Sequence, residues 1–471
     1  GNEWDSESFT ATLNYDTDWA SFTSVTNWHT NENIFVIDAD YVSSPGTFIA
    51  TTEKAEFEAF STEGRMLTQF EGPVNFLFGL YYQETDLDVR QFVMSNLMNS
   101  SLPPHMRYVG WDKDSNTKGE TRSAYTQLMW EITPAIELSA GARYTHETKD
   151  SYFNQPLVNP AMMGLVVEGH PFNVDQTFEN FTPEATLSWK PTDGLMLYAA
   201  YKEGYKSGGF SNTAIFSTVS REEDFAFEPE EVKGFEVGAK GMTLDGQLRY
   251  SLVLYTYEYT DLQIDFFNAS TLAFITTNAG SAETEGVELE LDYAPHAIPG
   301  LTLRGSVNYN EARYKDYLAP CFGGQTIAAG CTMEQFGVPH QDLSGSATSV
   351  APRWTSSFGV NYELNLIDGY VINIDMDAKY SDSYLASSFG DPASSEKSYT
   401  YVNAALQLRP VSDRWEIALV GRNLTDKFVS MGGHDTVGTG SGTGTPQGVP
   451  SDLYGLVGFP RTIQLQATMR F

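Results

Sequence analysis

Residues 370–380 read YVINIDMDAKY, and the order of apolar and polar residues in this stretch decides the fold class. Apolar or aromatic residues occupy every even position, while the odd positions include Asp375, Asp377 and Lys379. Successive side chains of an extended chain point to opposite faces, so this period of two predicts a β-strand with one apolar and one charged face. The same alternation recurs at 9–15, 136–144, 181–189, 287–293, 301–309, 354–362 and 463–471.

Seventeen or eighteen such strands are predicted along the chain. They cover about 8–15, 18–30, 56–70, 74–87, 120–133, 135–148, 176–190, 194–206, 230–243, 246–268, 271–294, 300–314, 353–366, 370–383, 398–410, 413–425 and 460–471. Short turns, including the Asp-Gly pairs at 245–246 and 368–369, join one set of strand ends. Long connections join the other ends, at 88–118, 149–175, 207–229, 315–352, 384–397 and 426–459. This layout predicts an all-β fold, namely a transmembrane antiparallel β-barrel with short periplasmic turns and long extracellular loops.

The alternate strand positions that carry charged residues, called here the charged parity, indicate which face of each strand points inward. An Arg or Lys facing lipid near the bilayer midplane costs about 2–4 kcal/mol, so we expect the charged residues to face the lumen and the apolar residues to face lipid. The predicted lumen-facing residues are Glu288, Glu290, Arg304, Asp375, Asp377, Lys379 and Arg422. The alternative is a large soluble β-sandwich or propeller, but neither predicts alternating long and short connections.

Composition excludes several classes of protein. The 471 residues contain 28 Lys and Arg against 61 Asp and Glu, a net charge of −33, so nucleic acid is not an expected partner. No run of 18 apolar residues is present, which excludes a transmembrane helix. The chain opens with Gly1 and has no initiator Met, so we expect a mature or trimmed chain whose targeting segment has been lost.

The two cysteines lie ten positions apart in a Gly-rich stretch. Two thiols are too few for a zinc site, and the nearest histidine, His340, stands alone. We therefore predict a disulfide between Cys321 and Cys331 in an extracellular loop, which implies an oxidising compartment. Two free buried thiols are the alternative.

No group of residues predicts catalysis. The seven histidines are scattered singly, so no metal site and no cofactor are predicted, and the chain is not expected to be an enzyme. The run from Arg221 to Asp224 is acidic and is expected to be a solvated loop, with bound calcium as the open alternative.

Function is therefore expected in the long loops and the lumen. Aromatic residues beside small polar ones can grip a rigid ligand of medium size. The candidate ligand-binding residues are His105, Arg107, Tyr108, Trp111, Phe172, Phe210, Phe216, Tyr314, Tyr317, Tyr384 and Tyr454. The loops contain few Arg and Lys residues, which disfavours a strongly anionic cargo and leaves neutral glycans, neutral chelates and cobalamin open.

Several stretches together resemble the TonB-dependent receptors of the Gram-negative outer membrane. They are LYAAYKEGYKSGGF at 197–210, NAGSAETEGVELE at 278–290, GRNLTDK at 421–427 with GFPR at 458–461, and TEGRM at 62–66 with FLFGLYY at 76–82. The blocks occur in the family's order from about residue 56 to the end of the chain. Met469 and the terminal Phe471 resemble the signal read by the barrel-assembly machinery.

The resemblance implies that residues 1–471 form the barrel domain of a longer receptor. Members of this family have 22 barrel strands and an N-terminal plug domain, so the plug, the TonB-box and the first strands are expected to be missing here. A plugless barrel that closes with fewer strands is the alternative.

The resemblance also implies an energised outer-membrane transporter. It is expected to take up a scarce nutrient, by default a ferric siderophore, or alternatively an oligosaccharide or cobalamin. The implied partners are the TonB–ExbB–ExbD complex, the barrel-assembly machinery, outer-membrane lipid and lipopolysaccharide, and a small-molecule ligand. A passive porin and an adhesin are the alternatives of another class.

Overall fold

The computed structural model describes residues 2–39, 49–96, 98, 102–104, 106–218, 220–268, 273–335, 338–367, 369–436 and 439–470. Seventeen strands of this part of the chain form one antiparallel sheet. In chain order they are β1 (Asn2–Asp16), β2 (Ala20–Asp38), β3 (Ile49–Thr68), β4 (Val74–Ser95), β5 (Val109–Thr133), β6 (Ile136–Val158), β7 (Phe172–Thr192), β8 (Leu195–Lys206), β9 (Glu230–Thr243), β10 (Leu248–Asn268), β11 (Ala273–Tyr293), β12 (Leu301–Asp316), β13 (Trp354–Ile367), β14 (Tyr370–Ser381), β15 (Tyr399–Pro410), β16 (Trp415–Arg422) and β17 (Thr462–Met469).

Each strand pairs with its neighbours in the chain, so the sheet is an up-and-down meander. Among the described residues, β1 pairs only with β2 and β17 only with β16, which leaves these two strands at the edges of the sheet. The all-β fold and the number of strands agree with the prediction.

The strands extend further toward the long loops than predicted. The expected loops at 88–118 and 149–175 shrink to 96–108 and 159–171, because β4, β5 and β6 continue past the point where the positions of the apolar face become polar. Ion pairs join these extensions, such as Arg90 to Asp112 at 2.9 Å. Backbone pairing does not require an apolar face, so a boundary drawn where the alternation stops falls too early.

Strand register places the charged parity on one face of the sheet. Asp292, Arg304, Gly359, Asp377 and Asn403 are successive partners across β11 to β15. Along this row the Arg304 Nε lies 3.5 Å from an Asp292 carboxylate oxygen, and the Asn403 amide donates to Asp377 at 2.8 Å. The residues predicted to face the lumen therefore share a polar face, and cross-strand contacts join some of them, such as Arg304 and Asp377, to neighbouring strands.

The opposite face is apolar and open. Large apolar side chains are exposed there on almost every strand, including Phe235, Val287, Phe358, Met376 and Leu465. Water-soluble monomers rarely expose apolar side chains across a whole face of a sheet, and such a face suits contact with lipid.

The short connections lie at one end of the sheet. In the turn between β9 and β10, Leu244, Asp245 and Gly246 all have positive φ, at 56°, 54° and 85°. The Asp-Gly pair was predicted to turn here because Asp tolerates this region and Gly enters it without steric cost.

The long connections lie at the other end and contain small elements of their own. Short strand pairs occur at Gly209–Phe210 with Ala226–Phe227, at Tyr384–Leu385 with Ser395–Glu396, and at His434–Asp435 with Leu453–Tyr454. A small three-stranded sheet is formed by Leu318–Pro320, Met333–Gln335 and Val338–Asp342. Single 3₁₀ turns occur at Glu222–Phe225, Ile327–Ala329 and Pro392–Ser394. None of the helices in the described ranges is long and apolar enough to cross a membrane.

Candidate functional site

An aromatic cluster fixes the 207–229 loop to the polar face of the sheet. Phe153 of β6 is 2% exposed, and its ring lies 4.9 Å from Phe225, 5.2 Å from Phe172 and 6.4 Å from Phe210 between centroids. Phe216 packs at the margin of this cluster. Phe172, Phe210 and Phe216, which were predicted to bind ligand, thus lie in or beside the core of the loop.

Hydrogen bonds from β5 reinforce this docking at Asn212. The Asn212 carbonyl accepts from the Lys113 ammonium and from the Ser115 hydroxyl at 3.1 Å. The Asn212 side-chain oxygen accepts from the Thr117 hydroxyl at 2.8 Å. Three donors at alternate positions of one strand can meet a single residue because they project from the same face. The loop is therefore held by both polar and apolar contacts.

A second cluster lies beside the first. Trp111 is buried against Val93, Val158, Val166 and Ile215. Within the described part of the chain, its indole N–H has no hydrogen-bond partner. Trp111 was predicted as a ligand contact, and the structure places it in loop packing.

A third cluster lies across the sheet, around Tyr314 and Tyr317. The two rings are 4.6 Å apart and pack with Ile264, Ala319 and Phe389. Burial raises the pKa of Tyr317 well above its ordinary value, so its hydroxyl stays protonated at physiological pH.

The 317–353 and 423–461 loops hold each other beside this cluster. The Cys321–Cys331 disulfide closes part of the first loop. The Gly323 N–H donates to Asp435 at 2.7 Å, and the Gly324 N–H donates to Thr443 at 2.8 Å. Two long connections thereby behave as one packed layer at the loop end of the sheet.

A cavity of about 580 Å³ opens between this layer and the polar face of the strands. Strands β10, β11 and β12 form its wall, and the segments 348–351, 386–388 and 431–434 form its rim. Its lining residues are Tyr259, Leu262, Gln263, Ile264, Asp265, Ala282, Glu283, Thr284, Asn310, Ala312, Tyr314, Thr348, Ser349, Ala351, Ala386, Ser388, Met431, Gly432 and His434. The volume lies within the range of small-molecule sites, and the mixed lining of rings, hydroxyls and amides suits a medium-sized ligand.

His434 is the titratable ring at the rim of the cavity. It pairs with Tyr454 in a short strand pair, with ring centroids 5.4 Å apart. Burial lowers the pKa of His434, and the neighbouring Asp435 opposes this shift only in part. The imidazole is therefore neutral at pH 7 and can donate or accept a hydrogen bond.

Of the predicted ligand-binding residues that the structure describes, only Tyr314 lies in the cavity lining. Arg107 and Tyr108 are exposed at the end of the 96–108 loop that leads into β5. The Tyr384 hydroxyl donates to the Ser430 carbonyl at 3.0 Å, which joins two loops, and Tyr454 contacts the cavity residue His434. His105 lies outside the described residues. Direct ligand contact by these residues remains a prediction.

Sequence reasoning missed most of the cavity wall. Tyr255, Tyr257 and Tyr259 occupy every second position of β10, on the polar face of the sheet. This repeat of tyrosines was the feature of the sequence that could have indicated the cavity wall. The Tyr255 hydroxyl donates to the Asn310 side chain at 3.0 Å, so this row of tyrosines is part of a hydrogen-bonded wall. The rim residues carried no such signal, because loop folding alone places them.

Metal-ligating groups do not gather anywhere in the described ranges. No three His, Cys, Asp or Glu side chains are close enough together there to hold an ion. The acidic turn Glu222–Phe225 is instead joined to Arg221, whose guanidinium lies 2.6 Å from Glu223 and 2.7 Å from Asp224.

Comparisons with known proteins agree with this architecture. A family model described as "TonB dependent receptor-like, beta-barrel" matches residues 1–424. Over 220 residues, or 46% of this chain, the sequence is 26% identical to the pesticin receptor of Yersinia enterocolitica, and the match covers 28% of that protein.

Solved structures show the same fold. The ferric yersiniabactin uptake receptor of Yersinia pestis has a TM-score of 0.74 at 16% identity, covering 100% of this chain and 62% of that one. A siderophore receptor of Acinetobacter baumannii has a TM-score of 0.72 at 17% identity, covering 99% and 64%. The chain thus spans less than two thirds of the length of either solved relative.

Proposed function

The chain belongs to the TonB-dependent receptor β-barrel family, and from this premise we propose that it serves TonB-dependent uptake of a ferric chelate. Members of the family are receptors and transporters, and they reside in the outer membrane of Gram-negative bacteria. Under this proposal residues 1–471 are the barrel part of such a receptor, with the long loops outside the cell and the short turns in the periplasm.

The observation that carries the proposal is the cavity of about 580 Å³ beneath interlocked loops, on the polar face of the sheet. A ligand captured there would lie at the mouth of the lumen, between the outside and the row of charged residues that includes Arg304 and Asp377. A passive pore needs no walled cavity at its mouth, whereas a receptor that gathers a scarce ligand does.

The proposal implies several partners. Energy would come from the TonB–ExbB–ExbD complex, folding would require the barrel-assembly machinery, and the apolar outer face would contact lipid and lipopolysaccharide. The relatives that support an iron-containing cargo are the ferric yersiniabactin, ferric-catecholate and ferric citrate receptors among the solved structures.

Uptake of radiolabelled iron tests the proposal directly. Cells lacking the gene should lose uptake of at least one chelate from a panel of ferric hydroxamate, catecholate and carboxylate complexes. Restoring the complete gene should restore uptake, and removing TonB should abolish it again. Equal uptake of every chelate with and without the gene would overturn the proposal.

A further inference from the structure

The charges around the cavity discriminate among ferric chelates. The lining residues include the acidic residues Asp265 and Glu283, and among the described residues that line the cavity there is no Lys or Arg. His434 adds no positive charge at neutral pH, since burial lowers its pKa. The cavity therefore offers hydroxyls, amides and rings, and its described lining offers no positive charge.

The nearby basic side chains are already paired with carboxylates. Lys315 approaches Glu283 at 3.9 Å, but its closer partner is Glu258, at 2.7 Å. Arg313 is held by Glu311 at 2.6 Å, and Arg353 lies 3.5 Å from the same carboxylate. All three basic residues thus have carboxylate partners that offset their charge.

The long loops add to the negative field. The connections at 96–108, 159–171, 207–229, 317–353, 382–398 and 423–461 contain six Lys or Arg residues against thirteen Asp or Glu residues, a net charge of −7. Several of the basic residues are paired, as Arg461 is with Asp426 at 3.1 Å. An approaching polyanion therefore meets repulsion within about one Debye length of the loops, roughly 8–10 Å at physiological salt.

From these contacts we propose that the cavity selects ferric chelates that are neutral or positively charged and rejects polyanionic ones. The proposal rests on the proposed function and narrows its cargo. Three hydroxamates, each with one negative charge, balance Fe³⁺ and give a neutral complex. Three catecholates carry six negative charges and give a complex of charge −3. Hydroxyl and amide groups such as those of Tyr259, Thr284 and Asn310 can hydrogen-bond the neutral complex without opposing its charge.

Direct titration of the complete natural protein in detergent tests this selectivity. Intrinsic fluorescence quenching would be measured with three synthetic ferric complexes of matched size: a neutral tris-hydroxamate, the same complex with one added ammonium, and a tris-catecholate trianion. The neutral and cationic complexes should bind at least tenfold more tightly than the trianion. The ratio should widen as salt falls from about 0.5 M to about 0.05 M, because lower ionic strength screens the repulsion less.

A charge added to the cavity gives a second, independent measurement. S388K places an ammonium in the lining, and it should raise affinity for the trianion severalfold relative to affinity for the neutral complex. S383K adds the same charge to an exposed position of the same loop outside the cavity and should change neither affinity.

The outcomes separate the two proposals. Binding of the trianion as tight as that of the neutral complex in the natural protein would overturn charge selection and leave ferric chelate uptake standing. Failure of all three complexes to bind would overturn both. The salt series uses the natural protein, so it decides the question even where S388K does not fold.

Discussion

Phe153→Ala should release the 207–229 loop from the sheet while leaving the barrel intact. Phe153 is 2% exposed and contacts three other phenylalanine rings, two of them within about 5 Å between centroids. Replacing a fully buried Phe with Ala costs about 3–5 kcal/mol. The loss falls on docking of the loop, because Phe225 and Phe210 belong to the loop and Phe153 to β6.

Hydrogen exchange measured by mass spectrometry reports this local opening. In the docked loop the Ser211 N–H donates to the Phe225 carbonyl at 2.7 Å, and the Phe216 N–H donates to Gln155 at 2.6 Å. When opening and closing are fast, exchange follows the population of the open loop. A loss of about 3 kcal/mol should therefore speed exchange of these amides by roughly 100-fold, since each 1.4 kcal/mol is a factor of ten.

Phe181→Ala is the matched control. It removes the same atoms from the adjacent strand β7, but Phe181 is 61% exposed on the apolar face. Exchange in the 207–229 loop should not change in this variant. The reasoning is refuted if Phe153→Ala leaves loop exchange as slow as in the natural protein, or if both variants accelerate it equally.

Three further predictions concern other parts of the chain. Replacing Cys321 and Cys331 with Ser should lower the stability of the 317–353 loop by about 2–3 kcal/mol, on the chain-entropy estimate for a loop of ten residues. Hydrogen exchange of that loop should become faster accordingly. Thiol labelling of the unreduced natural protein would contradict the disulfide. Burial lowers the pKa of His434 below 6.5, so His434 binds a proton more readily when the 423–461 loop is undocked than when it is docked. Docking of this loop should therefore weaken as pH falls through 6.5. In His434→Gln, loop exchange should show no such pH dependence once intrinsic exchange rates are corrected for pH. Deleting Phe471, which lies outside the described residues, should reduce heat-modifiable folded barrel in outer membranes, and an unchanged amount would count against its role in assembly.

The sequence alone determined the number of strands, their order and their two faces. A period of two in residues such as Ile372, Ile374 and Met376 indicates which side chains share the apolar face, and it does so locally along each strand. Turn chemistry is equally local, which is why the Asp245-Gly246 turn could be placed without tertiary information. The charged parity was also predictable, because the cost of a charge in lipid applies to each position separately.

Only the tertiary structure decided where the strands end and what the loops build. In β4 the positions of the apolar face become charged from Glu84 to Arg90, and the apolar residues Leu87, Val89 and Val93 follow on the other parity. The alternation thus changes face within one continuous strand, and the pattern alone does not show that the strand continues. The cavity brings Tyr259 of β10 together with His434, 175 positions further along the chain, and no local pattern connects residues at that separation. Aromatic residues in the strand ends next to the loops posed the same problem. Whether Phe172 or Trp111 meets a ligand or fills a core depends on which loop folds over it, and that is set by packing between distant segments rather than by the residue itself.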